Sequence, residues 1–128
     1  MRERAPSVFL VDVHPAANRA EGMSMSAARE RLPNRRTAET WDVEACGLHF
    51  RATVGRYDDG RVGEIFLSNT HVNSSAGIMA SDAAVVASVA LQYGVPLDVI
   101  CHALMRDGRG KPSGPLGVVL DQIAGEDG

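Results

Sequence analysis

The sequence is poor in most of what stabilises, anchors or arms a small domain. Aromatic residues make up only 5% of it, so its core must be built mainly from Ala, Val, Leu and Ile. Cys46 and Cys101 are its two cysteines, far apart and without a CxxC pair. That suits a reducing compartment better than a disulfide framework. No stretch approaches the uninterrupted apolar length of a membrane span. The run VFLVDV, from Val8 to Val13, is too short for a signal-peptide core and carries Asp12. A cytoplasmic protein with no membrane partner is the expectation. His14, His49 and His102 form no spaced cluster with one another or with the thiols, so neither a metal nor another cofactor is expected. There is also no βαβ alternation, no internal repeat, and no nucleophile–base arrangement with a recognisable local signature.

What is present fits one domain of 128 residues, long enough to bury its own core. The net charge of -3 conceals an asymmetry: residues 1–36 hold seven Arg against four acids, and residues 37–128 hold six basic residues against twelve. Residues 1–38, interrupted by Pro6, Pro15 and Pro33, read as a flexible basic arm, with VFLVDV a short strand if it finds a sheet edge. The arm's arginines either contact a polyanion or fold back onto Asp42, Glu44, Asp58 or Asp59.

The ordered body is expected over 39–125. Trp41, Val43 and Ala45 alternate with polar residues, and so do Leu48, Phe50, Ala52 and Val54 beyond the Cys46-Gly47 turn. Tyr57-Asp58-Asp59-Gly60 is a second hairpin turn, leading to a strand that contains Ile65 and Leu67. The stretch from Ser74 to Pro96 reads as one long helix, capped by Ser74 or Ser75 and stopped by Gly94 and Pro96. Met79, Ala83, Val86, Ala90 and Tyr93 form one apolar row and Ile78, Val85 and Val89 another, with Ser81, Asp82, Ser88 and Gln92 as the polar strip. A helix this apolar needs cover on more than one side, which predicts a homodimer through it. Leu97, Ile100, Cys101 and Leu104 mark a second helix, and Leu116, Val119, Leu120 and Ile123 a third. The predicted fold class is α+β: a three-stranded antiparallel meander covered by one long central helix and two shorter helices.

Two places invite an anion. Gly108-Arg109-Gly110-Lys111-Pro112-Ser113 imitates the end of a P-loop, but Met105 stands where that pattern needs glycine and Pro112 where it needs Ser or Thr. A flexible basic loop is the better account. The strand-to-helix loop is the stronger candidate: Asn69, His71, Asn73, Ser74 and Ser75 lead into a helix N-terminus, where free N–H groups favour an anion. Any Ser- and Asn-capped connection would look the same.

Leu32-Pro33-Asn34-Arg35-Arg36, then the block from Gly55 to Leu67 (GRYDDGRVGEIFL), then Leu91-Gln92-Tyr93-Gly94-Val95-Pro96-Leu97, together resemble the TSCPD domain. That domain is the small C-terminal module of coenzyme-B12-dependent (class II) ribonucleotide reductases and also occurs alone. The resemblance covers about residues 29–124. Its namesake Thr-Ser-Cys-Pro-Asp falls at Pro112-Ser113-Gly114-Pro115-Leu116, so the cysteine is Gly114 here and the aspartate Leu116. The reductase barrel is absent from the sequence. The resemblance implies a non-catalytic accessory or regulatory protein of deoxyribonucleotide metabolism, binding a nucleotide or a reductase-related protein. Anion contacts are expected at Arg31, Arg35, Arg36, Asn69, His71, Asn73, Ser74 and Ser75, and no catalytic residue. Two alternatives stand beside it. One is a nucleic-acid-binding module using the arginine arm, which the acidic body and the arm's lack of aromatics disfavour. The other is a small enzyme converging His71, Ser74 or Ser75 and Asp82.

Overall fold

The computed structural model describes residues 7–12, 28–70 and 74–127. The elements follow one another as β1 (Ser7–Asp12), β2 (Arg35–Ala45), β3 (Leu48–Arg56), β4 (Val62–Asn69), α1 (Ser75–Gln92), α2 (Leu97–Ala103) and α3 (Pro115–Asp127). The strands form one antiparallel sheet in the order β1-β2-β3-β4. The α+β class holds, with four strands rather than three. The added strand comes from the VFLVDV stretch, paired from Ser7 opposite Thr40 to Asp12 opposite Arg35. Its place exists because β2 starts at Arg35 rather than Thr40 and offers an edge that β3 does not occupy. Order therefore reaches into the expected arm: residues 28–38 are part of the packed body. The rest of that arm, 1–6 and 13–27, lies outside the described residues, as do His71 and Asn73.

Both turns are as the sequence reads. Cys46 and Gly47 each have positive φ, at 56° and 72°, which gives the tight β2–β3 hairpin the twist its strands need. Gly60, at φ 94°, closes the β3–β4 turn. The alternating positions Val43, Phe50, Ala52, Val54, Ile65 and Leu67 are buried on one face, against Leu116, Val119, Leu120 and Ile123 of α3.

The face that α1 buries is different from the expected one. Ala80, Ala84, Ala87, Ser88, Leu91 and Gln92 turn inward, whereas Ile78, Met79, Val85 and Val86 are exposed. The cause lies in β4. It is an edge strand, and its outward-facing backbone groups need partners. Ser88 Oγ accepts from Ile65 N–H at 2.8 Å and shares its proton between Ala84 O and Ile65 O. Gln92 Nε2 donates to Gly63 O at 2.8 Å. Small alanines between these two polar residues let the helix approach closely enough for the bonds to form. By length and composition α1 could cross a bilayer, with mean hydropathy 1.3 over 18 residues, but here it seals a sheet edge.

A polar staple ties α2 to α3. Arg106 Nη2 donates to Asp121 Oδ1 at 2.7 Å, and the Cys101 thiol donates to the same oxygen at 3.0 Å. Those bonds, Arg106 first and the thiol second, hold the Asp121 carboxyl at about 2, while burial pushes the Cys101 thiol up. A carboxyl depressed in the fold stabilises above its ordinary value, and the contribution is lost as pH falls through about 2. Its side chain is 40% exposed, so solvent screening keeps the gain small. Asp121→Asn is therefore expected to lower the melting temperature by about 2 °C at pH 7, with the deficit shrinking between pH 4 and pH 2. Melts of both proteins across that range check it.

Candidate functional site

The three motif blocks, separate in sequence, meet at one corner of the fold. From the first block, Arg36 Nε lies 2.6 Å from Glu64 Oε2 and its Nη2 3.1 Å from Oε1, while Nη1 donates to Pro33 O. Both side chains are buried, at 7% and 9% exposure. Their carboxylate–guanidinium lane runs over Gly55: a β-carbon there would stand 2.3 Å from Glu64 Oε2. From the third block, Gln92 accepts from Arg29 Nε at 2.6 Å, and its backbone carbonyl accepts from Glu30 N–H. The middle block completes the corner. Tyr57 donates its hydroxyl to Glu30 O, and Arg61 grips the Glu30 carboxylate through two nitrogens at 3.0 and 2.8 Å while stacking over the Tyr57 ring. Leu32 packs where a side chain on Gly63 would go. The blocks that carry the resemblance thus encode a structural clasp, in which Arg36 folds back onto Glu64 and Arg29 onto Gln92, neither of them among the four acids considered from the sequence.

The expected anion residues that the structure describes fall in two groups that the fold keeps apart. Arg35 and Arg36 open β2, where Arg35 is exposed and Arg36 is engaged by Glu64; Arg31 is half-buried just before them. Asn69, Ser74 and Ser75 stand at the far end of β4. Glu64 and Asn69 are five residues apart on that strand, so roughly 17 Å separates the groups. Ser74 is the N-cap: its Oγ accepts from Gly77 N–H at 3.0 Å and donates toward Asn69 Oδ1. Asn69 Nδ2 in turn donates to His49 O at 2.9 Å. This is the capped connection that local chemistry alone would build. Ser75 is exposed on the first turn of α1, as is Asp82 on the second.

A concave site lies elsewhere. Between the β2–β3 turn, the first half of α1 and the start of α3 is a groove of about 350 Å³, walled by Leu48, Phe50, Ala80, Ala83, Leu104 and Leu116. Met79 and Met105 stand on its rim and are 72% and 77% exposed. Its floor includes the namesake segment at Gly114 and Pro115. The family's cysteine position is empty of sulfur at Gly114, yet the Cys46 thiol reaches the neighbouring Ser113 O at 3.0 Å. None of Ser74, Ser75 and Asp82 lines the groove, and among the described residues no group of three metal-binding side chains gathers. The sequence carried one signal for this site, an exposed Cys46 in a turn. It gave none for the pairing of that turn with residues 113–117, which depends on how α3 docks.

The sequence profile of the TSCPD domain matches residues 20–125. Among curated proteins, the chain is 36% identical over 88 residues to the vitamin B12-dependent ribonucleotide reductase of Bradyrhizobium diazoefficiens, a match spanning 69% of this chain and 7% of that protein. It is 38% identical over 79 residues to the enzyme of the same name from Agrobacterium fabrum, spanning 62% of this chain and 6% of the relative. For the Rhodopirellula baltica enzyme the figures are 40% over 74 residues, 58% and 7%. The chain thus spans less than a tenth of the length of these relatives. No solved structure matches it. With the profile covering most of the described residues and the motif blocks joined in one clasp, the chain belongs to the TSCPD domain family.

Proposed function

We propose that the chain is a non-catalytic accessory or regulatory module of deoxyribonucleotide metabolism in the cytoplasm, related to the vitamin B12-dependent ribonucleotide reductases and acting by binding a protein partner. One observation carries this reading: among the described residues the groove offers apolar walls and a single thiol, with no carboxylate, imidazole or amine in its lining. Such a surface recognises apolar side chains and lacks the acid–base pair that proton-transfer chemistry needs. The described candidate anion residues, Arg31, Arg35 and Arg36 at one end of the sheet and Asn69, Ser74 and Ser75 at the other, cannot hold one small ligand together.

The test uses the Bradyrhizobium diazoefficiens reductase with the segment matching this chain deleted. Adding this chain is expected to give a measurable complex by calorimetry and to restore part of any lost activity. No complex at 100 μM of each protein overturns the reading. Melts against ribonucleotides and deoxyribonucleotides separate it from nucleotide sensing. A ligand at about a hundred times its dissociation constant adds roughly 2.7 kcal/mol and moves the midpoint by several degrees or more. A shift of that size with one nucleotide class would replace protein binding by nucleotide binding.

A further inference from the structure

Sulfur gathers at the groove. The described residues hold four sulfur-bearing side chains, Cys46, Met79, Cys101 and Met105, and three of them line this one cavity. They come from three places in the fold: Cys46 from the β2–β3 turn, Met79 from the first half of α1, and Met105 from the α2–α3 connection. The backbone holds two of the three close together. Cys46 Sγ lies 3.0 Å from Ser113 O, and Ser113 N–H donates to Met105 O at 3.0 Å, so a single residue separates the thiol from the Met105 main chain. The bridge between Arg106 and Pro112 fixes that register. Beside the atom that the thiol touches there is room: a β-carbon on Gly114 would meet nothing within 4 Å. Both methionine side chains are largely exposed, and their three rotatable bonds let the thioethers turn into this space. Position 46 also goes against its local preference. At φ 56° in a tight hairpin turn, Asn, Asp or Gly would sit with less strain, and residues that break a local rule concentrate at functional sites.

We propose that Cys46, Met79 and Met105 form a three-sulfur site for a soft monovalent cation, Cu(I). The donor set selects the ion. One thiolate with two thioethers favours Cu(I) over harder metals. Among the described residues no three His, Cys, Asp or Glu side chains gather, and the groove lining brings no side-chain oxygen or imidazole for calcium, magnesium or zinc. Charge selects it as well. The Cys46 thiol releases its proton to solvent, giving up its hydrogen bond to Ser113 O, and the thiolate sulfur bonds Cu(I), so that the copper–sulfur unit is neutral. Seating it among Leu48, Phe50 and Leu116 leaves no net charge against apolar walls, whereas a divalent ion would leave one positive charge uncompensated there. This site goes beyond the accessory role and does not rest on it.

Anaerobic titration of the whole, reduced chain with Cu(I) supplied as its bicinchoninate complex tests the proposal. The chain is expected to draw one Cu(I) from the chelator, with three sulfur neighbours seen by X-ray absorption. Cys46→Ser is expected to abolish the transfer. Met79→Leu and Met105→Leu conserve bulk, and each is expected to weaken binding at least about 10-fold, the lower end of what losing even an outer-shell partner costs a metal site. Circular dichroism confirms that the variants are folded, and any folded variant of the three decides the case. A chain that takes no Cu(I) from the chelator overturns the proposal. So does a folded Cys46→Ser that still takes it, which would move the copper to another sulfur. Either methionine variant binding as tightly as the wild type overturns it too, since Cys46 would then be an ordinary surface thiol.

Discussion

Glu64→Ala is expected to destabilise the chain by about 3–5 kcal/mol, the usual cost of stripping one partner from a buried ion pair. Arg36 would keep its charge inside the fold at 7% exposure, with Pro33 O left as its acceptor in the clasp. Against a total stability of about 5–15 kcal/mol, that loss takes roughly a fifth or more. Urea unfolding of the single mutants and of the double mutant Arg36→Met, Glu64→Leu measures it. The double mutant is expected to recover most of the loss, because well-packed apolar side chains of similar length carry no desolvation cost. If Glu64→Ala costs under about 1 kcal/mol, the pair behaves like a surface bridge and the clasp is not what holds residues 28–36 down. Gly55→Ala is the companion test. It keeps both charges but drives a methyl group to 2.3 Å from Glu64 Oε2, so it should reproduce much of the damage without removing any interaction partner.

How far the fold was legible follows from which signals are local. Period-two alternation placed Val43, Phe50, Ala52, Val54, Ile65 and Leu67 on the inner face, because a strand's side chains alternate whatever it packs against. The α3 stripe was equally readable, and all four of its residues are buried. The helix α1 was legible in extent but not in orientation. Apolarity pointed to Met79 and Val86 as its inner row, yet the alanines and two polar residues are inside, since the decisive partner is the backbone edge of β4 and not an apolar layer. Hydrophobic periodicity has no means of registering an unpaired carbonyl on another element. The start of β2 was missed for a similar reason. Arg35 and Arg36 look like a solvated arm until Glu64, 28 residues on, is placed beside Arg36.

The candidate site divides the same way. The strand-to-helix loop was found because capping chemistry is written in adjacent residues, and Ser74 does cap α1. The groove was not found, because its walls come from β2–β3, α1, the α2–α3 connection and α3. What the motif blocks announce is the clasp. Its residues are spread over three blocks because it must join the segment before β2, the β3–β4 hairpin and the end of α1, and each contributes one layer of the same corner.

Ser88→Val is the second large effect expected, a loss of about 2–4 kcal/mol. Valine replaces the hydroxyl and adds one methyl group, so none of the cost comes from a cavity, and Ser88→Thr, of equal bulk, measures what the extra methyl costs. The loss comes from Ile65, whose N–H and C=O both meet Ser88 Oγ, at 2.8 and 3.1 Å, in a site only 8% exposed. Leaving two buried backbone groups without partners costs about 1–3 kcal/mol each, partly relieved if the edge opens to water. That relief gives the substitution a local signature. Amide hydrogen exchange at Ile65 should accelerate well beyond the global change in stability, whereas Val54, opposite it on β3, should follow the global change alone. Ser88→Thr, which keeps the hydroxyl, should restore protection if the added methyl fits. If Ser88→Val leaves Ile65 as protected as before, β4 is held by its β3 ladder alone. The inward turn of the polar strip of α1 would then need another cause.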